Sequence, residues 1–436
     1  MEKDNKNNKE LIIQKCINES YETTEQQPSY NSGWSNSLFN LKDSLKFNYI
    51  SINSKFTLSK SFSTVYIYYK AYNMNEKNTN NYLNNELQKI IYISYRNNFK
   101  PQTSIKNNMI YTSDCGWGCM IRCSQMLFAK ILFEIFKYKL EINGETDKGT
   151  LLTHIIPFFM DNNLNITEKY YIYMDDYLKT LINFSKEKKV GIITVDPPFS
   201  IHKICTLGEI YGRTCGEWFS DFELPKIYNI INQTFNIIPY LSIMHFITEI
   251  EMDKVIESCF ILNDNQEKKN KGDILSYEDG KEYIFNKMGV IFVSLRLGIN
   301  SVSPDYFPSI KKLFECKQFV GFIGGKVNTA SYFIGYVDDY LLFLDPHYNQ
   351  ASITEINNES VNTYLKKDIY KLPFSSLQTA LTVGFLFRNI TEFRQLYVFL
   401  KNFNGNEFPC FYTRFLKNKE TGGIKQGDCG DEDDDF

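Results

Sequence analysis

Residues 113–123, SDCGWGCMIRC, join a double-glycine loop to the run CMIRCSQMLFAKILFEIFKYKL. Within that run Ile121, Met126, Phe128, Leu132, Ile135 and Phe136 supply apolar surface almost all round over about six turns, which predicts a core helix. Cys119 therefore stands at or near a helix N-terminus, where unpaired N–H groups and the helix dipole favour a thiolate. The glycines at 116 and 118 let backbone approach a substrate closely, and the N–H of Cys119 is placed to donate to an oxyanion. Cys115 and Cys123 lie one turn to either side. Zinc ligands pair across short turns and need a distant second pair, so these three cysteines do not read as a metal site.

A thiol nucleophile needs an imidazole to take and return the proton, and the chain has only four histidines. His154 in TLLTHIIPFFM and His245 in YLSIMHFITEI are embedded in apolar runs and read as structural, while His202 in PPFSIHKI reads as a helix start. His347 follows the strand-like YLLFLDPH, with Asp345 two residues earlier and so on the same side of the strand. With Cβ atoms about 6 to 7 Å apart, the carboxylate can hold Nδ1 and leave Nε2 for the thiol. Pro346 removes one ladder donor, which suits a strand end. A cysteine on a helix and a histidine–acid pair on a sheet far downstream is the arrangement of papain-like enzymes, although the order Cys, Asp, His differs from papain's own Cys, His, Asn.

The 436 residues are 43% hydrophobic and 16% aromatic, enough to bury a large core. Net charge is −3, so no overall positive field favours nucleic acid. No run is long enough for a spanning helix, and MEKDNKNNKE lacks the apolar core of a signal peptide, which together point to the cytoplasm. Ten scattered cysteines lack the dense spacing of a disulfide framework and read as free thiols.

Outward from the motif, residues 1–55 are polar and aperiodic and read as a disordered arm; FSTVYIYYKA (62–71) reads as a strand. The Asn-rich stretch over 72–85 reads as a solvated insertion, and ELQKIIYISYRNNF (86–99) has helical apolar spacing. VGIITV (190–195) is strand-like, and the charged segment 263–283 is a second surface insertion. The clearest sheet signal is GVIFVSLRL (289–297), FVGFIGG (319–325), SYFIGYV (331–337), YLLFLDPH (340–347) and LTVGFLF (381–387), with Asp338-Asp339 at a hairpin turn. ITEFRQLYVFLKNF (390–403) predicts a final amphipathic helix, before an acidic tail over 418–436. The peptidase domain then spans 56–417.

GWGCMIRC, LRLG (295–298), GFIGGK (321–326), SYFIGYV and FLDPH, in this order, resemble the autophagin cysteine peptidases over roughly 86–403. The resemblance implies an α+β fold, a papain-like cysteine peptidase core whose nucleophile helix packs on an antiparallel sheet, with a small additional domain and low-complexity insertions. It implies Cys119, Asp345 and His347 as the triad, Tyr95 of YRNNF with the Cys119 amide at the oxyanion, and substrate gating by Trp218 and Gly324-Gly325-Lys326. It also implies the substrate: the ubiquitin-like autophagy modifier, cut after its C-terminal glycine both as free precursor and when conjugated to phosphatidylethanolamine. The enzyme would need no cofactor and would touch membranes transiently through the lipidated substrate, as a monomer. Departures are Val327 after Gly-Gly-Lys, FSDF (219–222) after the Trp region, and a tail that stops at Phe436 without the family's modifier-binding motif. Two alternatives stay open: a catalytically idle modifier-binding homologue, and a thiol peptidase acting on ubiquitin or another ubiquitin-like protein.

Overall fold

The structure is a computed structural model. It describes residues 2–19, 55–56, 64–146, 151–162, 164–165, 194–195, 197–263, 274–276, 281–325, 329–365 and 368–415. The helices that matter below are α1 (Glu2–Glu19), α2 (Cys119–Ile142), α3 (Ile201–Gly208), α4 (Leu224–Phe235) and α5 (Ile390–Phe403). The strands are β1 (Thr64–Ile67), β2 (Lys70–Asn73), β3 (Arg96–Thr103), β4 (Leu241–Ile247), β5 (Met288–Arg296), β6 (Phe319–Gly324), β7 (Ser331–Val337), β8 (Tyr340–Leu344), β9 (Tyr370–Pro373) and β10 (Ala380–Phe387).

A nine-stranded sheet runs in the order β9-β8-β7-β6-β10-β5-β4, with β1 and then β2 added beside β7. All its pairings are antiparallel except β5 on β4. Successive residues serve opposite faces. Val290, Phe292, Val320, Ile323, Ile334 and Leu342 join the apolar layer of α2, α3 and α4. Ile291, Val293, Phe319, Phe322, Phe333 and Leu341 join a second layer with α5. Helices cover both faces, so these strands are apolar at nearly every position rather than at every other one. The result is the expected α+β arrangement, with α2 lying against β6 and β7 and buried on almost all sides from Cys119 to Phe136. No helix among the described residues is long and apolar enough to cross a membrane.

Several local expectations fail for identifiable reasons. The expected disordered arm begins instead as a helix, because Ile12 and Cys16, one turn apart, dock on α3, and Lys15 pairs with Glu209 at 2.9 Å. The rest of the arm, residues 20–54, lies outside the described residues, as do most of 166–193, 264–273 and the tail beyond 415. The described part of FSTVYIYYKA, from Thr64, is a hairpin rather than one strand, turning at Tyr68, which has φ 49°. The Asn-rich stretch supplies the start of a helix, Thr79–Gln88, anchored by fully buried Leu83.

The helix expected over 86–99 stops at Gln88. Ile90–Tyr95 are six consecutive buried residues, a pattern that one helix face cannot produce; they cross the core outside any helix or strand. Their amides bond outward, Tyr92 N–H to Tyr364 O at 2.7 Å and Tyr95 N–H to Pro346 O at 2.9 Å. The charged 263–283 segment is not wholly irregular, since Ile274–Ser276, Glu282–Phe285 and Phe260–Leu262 form a three-stranded sheet.

Ile334 is fully buried in β7 under the α2 layer. Ile334→Ala is expected to lower unfolding free energy by about 2–5 kcal/mol, read as a lower urea midpoint with an unchanged slope.

Candidate active site

Gly118 caps the start of α2, and its N–H bonds Asp114 O at 2.8 Å, so the 114–118 turn feeds directly into the helix. Glycine is required at 118, because a Cβ there would lie 2.3 Å from Asp114 Oδ2. Cys119 is thereby the first helical residue, fully buried, with its amide free of the intrahelical ladder.

His347 comes to this helix end from the sheet, just past the end of β8. β8 ends at Leu344, and the Asp345-Pro346-His347 turn carries the imidazole out of the ladder. Asp345 Oδ1 accepts from His347 Nδ1 and, at 3.0 Å, from the His347 amide, so one oxygen fixes both ring and backbone. Tyr92 Oη donates to Asp345 O at 2.7 Å and Tyr95 N–H to Pro346 O, which clamps the turn from the β3 side. The Tyr95 ring meets the His347 ring edge-on, with centroids 5.4 Å apart at 85°.

The electrostatics separate Cys119 from the other cysteines. Burial raises its pKa, but the hydrogen bond and positive charge of His347, the Ala330 backbone and the Tyr95 hydroxyl outweigh this and bring it below the ordinary value. Burial would lower the His347 pKa, yet the hydrogen bonds and charges of Asp345 and Cys119 raise it to about 10. Both shifts favour thiolate with imidazolium. Burial holds the Tyr95 hydroxyl well above its usual range, so it stays protonated beside Cys119. By contrast burial pushes Cys123 and Cys205 well up, and Cys259, Cys316 and Cys410 to about 12. Burial likewise lowers His245 to about 4, and its Nε2 pairs with Ser294 Oγ at 2.8 Å. His202 Nε2 bonds Lys100 O at 2.6 Å.

Cys119, His347, Asp345 and Tyr95 are thus brought together. Gly324 ends β6 and Ala330 lies beside the sulfur, and Gly325, at φ +152°, would place a Cβ 2.6 Å from Ala330 Cα. Lys326 lies outside the described residues. Trp218 is half-buried against the α2 layer, and its indole N–H is buried with no acceptor among the described residues. The FSDF segment after it is anchored by Asp221, which accepts from Thr382 Oγ1 at 2.8 Å, next to Leu381, the partner of Gly324.

Sequence reasoning missed the charges beneath the site. Arg122 is fully buried in α2, with Nε on Asp114 Oδ2 at 2.7 Å and Nη1 on Asp161 Oδ1 at 3.1 Å and Gln125 Oε1 at 3.0 Å. An arginine on an otherwise apolar helix, eight residues after an aspartate, was the available signal.

The description "Peptidase C54 catalytic domain" fits residues 80–398. The chain is 24% identical over 324 residues to cysteine protease ATG4D of Xenopus laevis, covering 70% of this chain and 64% of that one. It is 25% identical over 349 residues to cysteine protease ATG4C of Homo sapiens, covering 74% and 72%. To cysteine protease ATG4a of Arabidopsis thaliana it is 27% identical over 316 residues, covering 70% and 58%. The chain therefore spans less than two thirds of some of these relatives and little more of others.

A lowered thiol pKa that depends on His347 has a direct readout. In native protein Cys119 is expected to alkylate at mildly acidic pH while Cys123 stays inert, and His347→Ala should move the Cys119 midpoint up in pH. Mass-mapped labelling against pH checks this; a midpoint unmoved by His347→Ala would contradict it.

Proposed function

The chain belongs to the peptidase C54 family, and on that premise we propose that this cysteine peptidase cleaves the ubiquitin-like autophagy modifier after its C-terminal glycine. On this reading it both matures the precursor and releases the modifier from phosphatidylethanolamine. The observation that carries the reading is that Cys119, at the start of a buried helix, stands against the imidazole of His347, whose Nδ1 is held by Asp345.

In the proposed mechanism the Cys119 thiolate attacks the glycine carbonyl carbon, and the oxygen takes the negative charge between the Tyr95 hydroxyl and the Cys119 N–H. The His347 imidazolium gives its proton to the leaving amine as the C–N bond breaks, leaving a thioester. His347, now neutral, takes a proton from water, and the hydroxide so generated attacks the thioester carbonyl. The carboxylate product leaves, and the thiolate and imidazolium are restored. Asp345 keeps Nδ1 protonated and Nε2 aimed at the sulfur throughout.

Glycine at the cleavage position is supported by the Ala330 backbone lying beside the sulfur, with Gly325 packed so closely on it that a Cβ at 325 would sit 2.6 Å from Ala330 Cα. Trp218 with Gly324, Gly325 and Lys326 would close a slot at that position. The peptidase unit we assign spans 56–417, with the lipidated substrate supplying the membrane contact.

Purified protein incubated with candidate modifiers, as precursors and as lipid conjugates, is expected to cut after the terminal glycine, with the site located by mass. Cys119→Ala and His347→Ala should abolish the cut, and Cys119→Ala should still bind the precursor. Unchanged cleavage by Cys119→Ala would sink the reading.

A further inference from the structure

We propose that Asp114 is a positioning residue that sets the register between Cys119 and its partners, so that the thiol, the imidazole and the Tyr95 hydroxyl meet only while its carboxylate bridges Arg96 and Arg122. This rests on the peptidase reading above and goes beyond the triad.

Asp114 is fully buried and each of its oxygens has a separate task. Oδ1 accepts the Arg96 N–H at 2.6 Å, and the Asp114 N–H returns a bond to Arg96 O at 3.2 Å. Arg96 follows Tyr95, whose own N–H holds Pro346 between Asp345 and His347. One oxygen therefore ties the motif loop to the strand that carries the oxyanion tyrosine and clamps the histidine turn. Oδ2 accepts Arg122 Nε at 2.7 Å, one turn into α2, and stands where a Cβ at position 118 would be. That oxygen fixes the helix start from which Cys119 projects. The main-chain oxygen of Asp114 takes the Trp117 and Gly118 amides at 3.1 and 2.8 Å, which closes the turn itself.

Arg122 extends the frame to Asp161 and, through Gln125, to Phe199 O at 2.8 Å. Arg96 extends it to Ala351 O and Thr363 Oγ1, both at 3.0 Å, with its guanidinium 4.2 Å from the Tyr364 ring centroid. The two arginines lie on the two elements whose relative position decides the reaction, and Asp114 is the group that touches both. An acceptor-only carboxylate suits this place, because both of its neighbours are N–H donors. A misplacement of the reacting atoms by about 1 Å costs about 100-fold in rate.

The test compares three neutral or conservative variants in the full chain. Asp114→Asn keeps the shape but turns one N–H2 toward a donor. It is expected to lower kcat about 100-fold with KM within about threefold, and to move the Cys119 alkylation midpoint up in pH. Asp161→Asn removes a carboxylate from the same Arg122 without touching the Arg96 amide or the helix start. It should lower Tm while leaving kcat within about threefold, a split that a purely structural role for the cluster would not give. If Asp114→Asn fails to fold, Arg122→Lys carries the same comparison, because its single ammonium cannot hold Asp114 and Asp161 in the fork that Arg122 makes. The inference is overturned if folded Asp114→Asn, or Arg122→Lys in its place, keeps native kcat and a native alkylation profile, or if Asp161→Asn loses kcat equally. Cys119→Ala is run in parallel. If it retains activity the peptidase reading fails, whereas an inactive Cys119→Ala beside a fully active Asp114→Asn removes only the role of Asp114.

Discussion

The contact between the Cys119 sulfur and the His347 imidazole is the interaction on which the rest of the site depends. A thiol sealed in a core is ordinarily inert, and Cys123, one turn along the same helix, shows this: burial drives its pKa far up. Cys119 is equally buried, yet its thiol shifts the other way because a cation sits against it. The low-dielectric surroundings that penalise a lone charge strengthen the attraction between two. Remove either partner and the other becomes an uncompensated buried charge.

Holding that pair demands two rigid supports from different layers. The helix supplies the sulfur at its first residue, where unladdered N–H groups face the chemistry. The sheet supplies the imidazole at the end of β8, where the ladder stops and Pro346 cannot extend it. Between them runs 90–95, a buried irregular segment whose Tyr92 and Tyr95 amides bond to Tyr364 and Pro346. Asp114, bonded to both the Arg96 amide and Arg122, joins these supports, and Asp161 buttresses Arg122 from behind. Fully buried charges are retained in this cluster by a fork of charge-assisted hydrogen bonds, which fix orientation as well as position.

The central sheet was legible in the sequence because both of its faces are covered, so β5, β6, β7, β8 and β10 each appear as a continuous apolar run bounded by turn residues. Helix α5 was legible from its single apolar stripe, with Phe393, Leu396, Leu400 and Phe403 buried. The meeting of Cys119 with His347 could be anticipated because only four histidines compete. The 90–95 run misled for the opposite reason: its apolar spacing matches a helix, and only the surrounding structure decides that it crosses the core as non-helical chain. Helix α1 was hidden because two docking residues among charged neighbours make too short a stripe to read. The charge cluster was hidden because pairing between Asp114 and Asp161 through Arg122 is set by the fold, although an arginine inside so apolar a helix was a visible anomaly.

The central claim is that His347 is held as an imidazolium by Cys119 and Asp345, and nitrogen-15 NMR of the histidine rings against pH tests it most directly. Because the folded pKa is raised, the charged form should persist above the ordinary imidazole range and be lost only as pH rises through about 10. In Cys119→Ala, with the thiolate gone, the same ring should titrate at clearly lower pH. A His347 ring that titrates near the ordinary value of 6.5 in the native protein, or identically in both, would contradict the account.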